Sequence, residues 1–227
     1  MLKENNAKIG GAPFKVDHTE SRAVESLAER LLSHVSEYGT DRHVVIVCIG
    51  TDRSTGDALG PLVGAKLSAR LSDEPHVTVY GTLESPVHAV NLKETIQEIQ
   101  GRFQDPFVIA VDACLGQIAS VGLVTIGNGP LKPGAGVNKV LPEVGNIHIT
   151  GIVNVGGFME YFVLQNTRLS IVMRMADCIA DGLFQAVQAA QALPRLAVND
   201  LNASSLDTKT TLSERISSVR SNLFPFL

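Results

Sequence analysis

Two aspartates, Asp57 and Asp112, stand where carboxylate chemistry is best placed. Asp112 ends the apolar run Phe107-Val108-Ile109-Ala110-Val111. Its carboxyl is therefore expected to emerge from a buried strand into a partly desolvated cleft. Desolvation, or a second carboxylate nearby, would raise its pKa and suit it to acid–base work or metal binding. Asp57 closes the polar loop Thr51-Asp52-Arg53-Ser54-Thr55-Gly56, which follows a similar run. Standing just before Ala58-Leu59-Gly60-Pro61, it is equally placed to cap a helix, and Asp112 to cap a turn at the rim. A capping carboxylate can also face a cleft, so these readings are compatible. Asp52 and Glu84 complete the set of carboxylates that follow strand-like runs. His148 alternates with apolar residues in Asn146-Ile147-His148-Ile149-Thr150, the pattern of a strand-face histidine. His43, His76 and His88 have no partner spacing. The glycine-rich stretch 127–136 lacks the Lys and Ser/Thr of a phosphate-binding P-loop, and no Gly-x-Ser-x-Gly elbow occurs.

The elements that must hold these residues follow from hydrophobic periodicity. Residues 20–38 recur at helical spacing, and His43-Val44-Val45-Ile46-Val47-Cys48-Ile49-Gly50 is a continuous β-branched run. Such a run marks a strand buried on both faces of a parallel sheet. Helical spacing at 59–71, a strand at 76–81, a helix at 89–100 and the strand 107–112 repeat the alternation. A strand at 121–126 is expected to run antiparallel, because only a short turn separates it from the one before. A further strand spans 147–155, a turn at Gly156-Gly157 leads into 158–164, and a helix over 169–193 should end before Pro194. Alternating strands and helices predict an α/β fold with a mostly parallel sheet, and ligands bind beyond the carboxyl ends of such strands. The whole chain, 1–227, reads as one domain with its core at about 40–193. Residues 1–20 read as a loose arm, and the tail from about 197 as polar with a short helical pattern at 212–219.

Composition narrows the function classes. An apolar content of 44% supports a sizeable core. A net charge of −4 without any basic block argues against nucleic acid, and the absence of Trp argues against a stacking platform. The three cysteines, Cys48, Cys114 and Cys178, have neither metal nor redox spacing and read as reduced core thiols. With no signal-peptide stretch and no run of membrane-spanning length, a cytoplasmic protein without membrane contact is expected.

The segment Cys48-Ile49-Gly50-Thr51-Asp52-Arg53-Ser54-Thr55-Gly56-Asp57-Ala58-Leu59-Gly60-Pro61 resembles the glycine–aspartate signature of the bacterial spore germination proteases. Val111-Asp112-Ala113 resembles their second aspartate motif. Pro133-Gly134-Ala135-Gly136-Val137-Asn138-Lys139 and Ile149-Thr150-Gly151-Ile152 resemble their glycine-rich loop and the strand after it. The resemblance covers roughly residues 40–190. It implies the phosphorylase/hydrolase-like three-layer α/β/α sandwich shared with the hydrogenase maturation endopeptidases. It also implies an atypical aspartic-type endopeptidase with Asp57 and Asp112 as its catalytic pair, acting on small acid-soluble spore proteins in a sporulating cell. One aspartate, ionised, would hold a water, and the other, protonated, would donate to the scissile carbonyl. Gly134, Gly136 and Lys139 would offer loop N–H groups and a cation to a protein or peptide substrate, alongside Asp52, Glu84 and Asn154.

This chain departs from the relatives at two points. The maturation endopeptidases add a metal-binding histidine after a later strand, where this chain reads Ile152-Val153-Asn154-Val155-Gly156-Gly157. No metal or cofactor is therefore expected, and Asn154 would orient a water or the substrate amide. The germination proteases are also longer and carry activation segments that this sequence lacks. Two alternatives remain open: a metal-assisted hydrolase using Glu84 or His148 as a further ligand, and a binding protein without turnover.

Overall fold

A run of β-branched residues has nowhere to sit but between two layers, and Val44–Cys48 forms such a strand, β2, with all five residues buried. The computed structural model describes residues 13–38, 42–134 and 141–203. In chain order these form β1 (Phe14–Asp17), α1 (Ala23–Tyr38), β2, α2 (Leu59–Arg70), β3 (Val77–Tyr80), α3 (Leu92–Arg102) and β4 (Phe107–Gly116). A 3-10 turn at Ile118–Ser120 leads to β5 (Leu123–Asn128), β6 (Ile147–Val155), α4 (Glu160–Gln165) and α5 (Leu169–Ala203). The fold is mixed α/β.

The six strands form one sheet in the order β1-β5-β6-β4-β2-β3. β3, β2, β4 and β6 run parallel, β5 pairs antiparallel with β6, and β1 pairs antiparallel with β5, so that β5 alone is reversed. Alternate residues of β2 go to opposite faces, as the period of a strand requires. Val44, Ile46 and Cys48 pack with α1, α2 and α5, whereas Val45, Val47 and Ile49 pack with Leu92 and Ile99 of α3. Each methylene removed from these sites would cost about 0.8 kcal/mol in transfer free energy alone. No helix among the described residues is long and apolar enough to cross a membrane.

Connectivity creates the feature that matters for chemistry. From β2 the chain crosses by α2 to β3 on one side, then by α3 back to β4 on the other. The adjacent strands β2 and β4 therefore depart in opposite directions. The carboxyl ends of two such strands are where open α/β sheets bind ligands.

Four expectations need correction. Residues 14–17 are not a loose arm but β1, an edge strand paired with β5 through Phe14↔Ile126 to Asp17↔Leu123; its buried Val16 supplies the anchor. β5 is antiparallel as expected, yet its neighbours are β1 and β6 rather than β4. The turn at 117–122 carries the chain past β6 instead of folding it back on β4. β4 does not end at Asp112, because β6 pairs with it as far as Gly116, across a bulge at Cys114/Leu115. α5 runs through Pro194 to Ala203. A helical proline removes one intrahelical hydrogen bond, and here it does not stop the run. The patterns at 204–227, including 212–219, lie outside the described residues.

Candidate functional site

Asp57 is held by backbone packing before its side chain does anything. Gly50, with φ of +143°, lies so close to the Asp57 carbonyl that any Cβ there would collide with it. A Cβ at Gly60 would likewise run into the Ile49 carbonyl. The Thr51 N–H donates to the Asp57 carbonyl at 3.2 Å, and the Gly56 N–H to the Leu164 carbonyl at 2.8 Å. The loop 51–57 is thus clamped between the end of β2 and α4. Ala58 is the N-cap of α2 and no side chain caps that helix, so the Asp57 carboxylate is free of the capping role.

Asp112 sits on β4 opposite Thr150 of β6. It lies on the face opposite to Ile109 and Val111, which point into the core beneath α1, α2 and α5. Its Oδ1 accepts the Ala113 N–H at 2.8 Å. Burial, and then the charge of Asp57, push the Asp112 carboxyl well above the usual carboxylate range. Burial also raises Asp57, but less simply, since the Thr51 amide and the nearby His88 favour its ionised form. The two aspartates therefore interact and titrate as a unit. Both carboxyls are raised, Asp112 the further of the two, so of the pair it is the better placed to keep a proton.

The structure adds partners that sequence spacing did not reveal. His88 reaches this site because the segment after β3 folds back over β2. Ile49 forms a bridge with Val87, and the Gly50 N–H donates to the Val87 carbonyl at 2.8 Å. His88 Nδ1 accepts the Val90 N–H at 3.3 Å. The only sequence signal for His88 was its place after a strand at the right edge of the sheet. Cys114, two residues beyond Asp112, has its thiol raised by burial and by the Asp112 charge, while a hydrogen bond with Thr150 works against that rise.

The remaining sequence candidates fall in different places. Asp52 is exposed in the loop after β2, and Glu84 is exposed in the loop after β3, both at the carboxyl edge. Asn154, near the end of β6, donates to Thr167 Oγ1 at 3.2 Å and to the Val163 carbonyl at 3.4 Å, and accepts the Val155 N–H at 2.8 Å. These bonds tie the strand to α4. His148 pairs in register with Ala110, and its Nδ1 lies 2.9 Å from the Gly129 carbonyl, which it holds in place. The glycine-rich loop leaves β5 at the amino edge of the parallel strands and is tied there by the Leu131–Val144 bridge. Gly134 follows that bridge, so the start of this loop is anchored at the edge opposite to the aspartates. Gly136 and Lys139 lie outside the described residues. A separate cavity of about 250 Å³ opens at the same amino edge, beside Ile96, Ile99, Val108 and Glu143.

Among the described residues, no three His, Cys, Asp or Glu side chains converge to hold a metal ion. What the arrangement can do is move protons: two carboxyls of raised pKa act on one another, and His88 favours the ionised form of Asp57.

Comparison with known proteins agrees with these boundaries. The family model described as "Protein of unknown function (DUF1256)" matches residues 15–182, which span all of β2 to β6 and both aspartates. The chain is similar to "Uncharacterized protein YyaC" of Bacillus subtilis (strain 168), at 59% identity over 168 residues, covering 74% of this chain and 80% of that protein.

Proposed function

We propose that this chain, which belongs to the DUF1256 family, is a hydrolase of atypical aspartic type that cleaves peptide bonds with Asp57 and Asp112. One observation carries the reading: Asp57 and Asp112 come together after the adjacent strands β2 and β4, where burial, and then the charge of Asp57, push the Asp112 carboxyl well above the usual range. In the first step Asp57 takes a proton from a water, the water oxygen attacks the scissile carbonyl carbon, and Asp112 gives its proton to the carbonyl oxygen. In the second, Asp57 passes its proton to the leaving amine, and Asp112 recovers one from the collapsing diol. The pair ends as it began. His88 steadies the charge on Asp57 throughout.

The resemblance to the spore germination proteases supplies the finer reading. It makes this fold a phosphorylase/hydrolase-like three-layer sandwich, an assignment consistent with helices on both faces of the sheet. It assigns small acid-soluble spore proteins as substrates, in the cytoplasm of a sporulating cell. A second reading is metal-assisted hydrolysis, in which Asp57 and Asp112 would be the ligands that the protein supplies.

The test is cleavage of purified small acid-soluble spore proteins by the full chain, beside Asp57→Asn and Asp112→Asn variants. Cleavage by the unmodified chain and a loss of roughly 10²–10⁴-fold in either variant are expected, the range for removal of a general acid or base. Activity should survive EDTA. Loss on chelation that one divalent ion restores would transfer the mechanism to the metal reading. Unchanged cleavage by Asp112→Asn, or none by any form, would overturn the aspartic peptidase.

A further inference from the structure

Asp57 is held from two sides, and only one of them is β2. On that side Thr51 and Gly50 pack against the Asp57 carbonyl. The other side is reached through β6. Asn154 stands there in register with Leu115 of β4, beyond the pair Asp112↔Thr150. Its side-chain amide donates to Thr167 Oγ1 at 3.2 Å and to the Val163 carbonyl at 3.4 Å. Thr167, a buried residue in the link between α4 and α5, donates its own hydroxyl to the Val163 carbonyl at 2.9 Å. The Leu164 carbonyl accepts both the Thr167 N–H, at 3.3 Å, and the Gly56 N–H, at 2.8 Å. Gly56 packs closely here: a Cβ on it would stand 2.9 Å from Thr167 Oγ1 and 2.8 Å from Leu164 Cδ2. The next residue is Asp57.

These contacts close a ring. It runs from Asp112 along the β4–β6 ladder to Asn154, through Thr167 to Gly56 and Asp57, and back through Gly50 to β2, which pairs with β4. The two carboxyls act on one another, and like charges favour separation unless the loop is braced. We infer that Asn154 and Thr167 are positioning residues, an assignment that rests on the peptidase reading above. The pair braces the loop 51–57 from the β6 side and so sets the separation between Asp57 and Asp112.

The hydrogen-bond inventory turns Asn154 away from direct contact with a substrate. A side-chain amide has two N–H donors and one carbonyl oxygen. In Asn154 the nitrogen makes two bonds, and Oδ1 accepts the Val155 N–H at 2.8 Å. Its donors are spent, so a water or a substrate carbonyl would have to break the brace to receive one. Thr167 likewise uses its hydroxyl as donor to Val163 and as acceptor from Asn154. At 7% exposure it has little surface to offer a substrate.

The test compares Thr167→Val, which keeps the shape and removes the hydroxyl, with Thr167→Ser, which keeps the hydroxyl. Full-length chains are measured for kcat and KM on small acid-soluble spore proteins, and for titration of the Asp112 carboxyl by carbon NMR. Thr167→Val should lose roughly 10–100-fold in kcat with KM nearly unchanged, since a misplacement of about 1 Å can cost that much. Its Asp112 midpoint should fall towards 3.8, because the released loop carries the Asp57 charge away. Thr167→Ser should restore both values although it loses a packed methyl, a rescue that a merely structural role would not give. Asn154→Ser cuts the same bridge from its other end, should reproduce the Thr167→Val changes, and replaces that variant if it does not fold. An unchanged kcat or an unchanged Asp112 midpoint would overturn the brace. So would a rise in KM alone, or a loss that Thr167→Ser does not restore. If the unmodified chain cleaves nothing, the peptidase reading falls by itself and the titration decides the brace. A midpoint that moves in Thr167→Val and returns in Thr167→Ser then upholds it, and one that stays overturns it.

Discussion

Holding Asp112 protonated lowers the stability of the folded chain at neutral pH. The unfolded chain releases this proton near the ordinary value of 3.8, whereas the folded chain keeps it to a higher pH because of burial and the charge of Asp57. Above 3.8 the unfolded state therefore binds fewer protons than the folded one, and stability falls as pH rises towards the folded pKa. An Asp112→Asn variant loses this dependence. It should melt higher than the unmodified chain at pH 7, with the gap narrowing as the pH falls towards 4, while its activity is lost. Thermal melts across pH 4 to 8 check this, and a variant that melts lower at pH 7 would contradict the assigned protonation. Both aspartates were legible from sequence because each follows an apolar run, and strand ends are where chemistry gathers. His88 was not. Its relation to Asp57 is made by the fold-back of Val87 onto Ile49, and no spacing along the chain encodes that contact.

At the scale of elements, the loop between β2 and α2 is set by close backbone approach. A Gly50→Ala substitution would place a methyl against the Asp57 carbonyl at a φ that L-residues avoid. The expected cost is about 2 kcal/mol or more, together with lost activity as Asp57 moves. Denaturant unfolding and cleavage measured on the same preparation test this, and a variant with unchanged midpoint would refute the clamp. The strands β2 and β6 and the helix α1 could be read from their patterns, since continuous β-branching and a 3.6-residue stripe each have one structural solution. The extent of β4 could not. A polar residue at 112 looks like an end in sequence, but pairing with β6 carries the strand four residues further. Likewise Pro194 looked like the end of α5, and the helix continues past it.

Across the whole molecule, acid should act through His34 in α1. Its ring is 1% exposed, and neither nitrogen has a hydrogen-bond partner. Burial, and then the neighbouring Arg30, lower its pKa from 6.5 to about 4. The unfolded state takes up this proton first, so stability is lost as pH falls from 6.5 towards 4. The loss is roughly 1–2 kcal/mol at pH 5 after allowing for screening. A His34→Leu chain should flatten the acid limb of the stability curve, which denaturant titrations at pH 7 and pH 5 would measure. A limb of unchanged slope would place the acid sensitivity elsewhere. The α/β class was legible at this scale because the alternation of elements repeats along the chain. The β1 edge was not, because a four-residue strand declares itself only through a partner more than a hundred residues away.

That pairing also sets a timetable for the nascent chain. Phe14 leaves the ribosome well before its register partner, Ile126. At about 5–20 residues per second, synthesis leaves β1 waiting several seconds for β5 to emerge. β2, β3 and β4 come off the ribosome in the interval, so β2 and β4 can pair while the far edge of the sheet is still unmade. The first strand of the sheet to be made is thus among the last to find its place, and until then its apolar Phe14 and Val16 are open to whatever meets them in the cell.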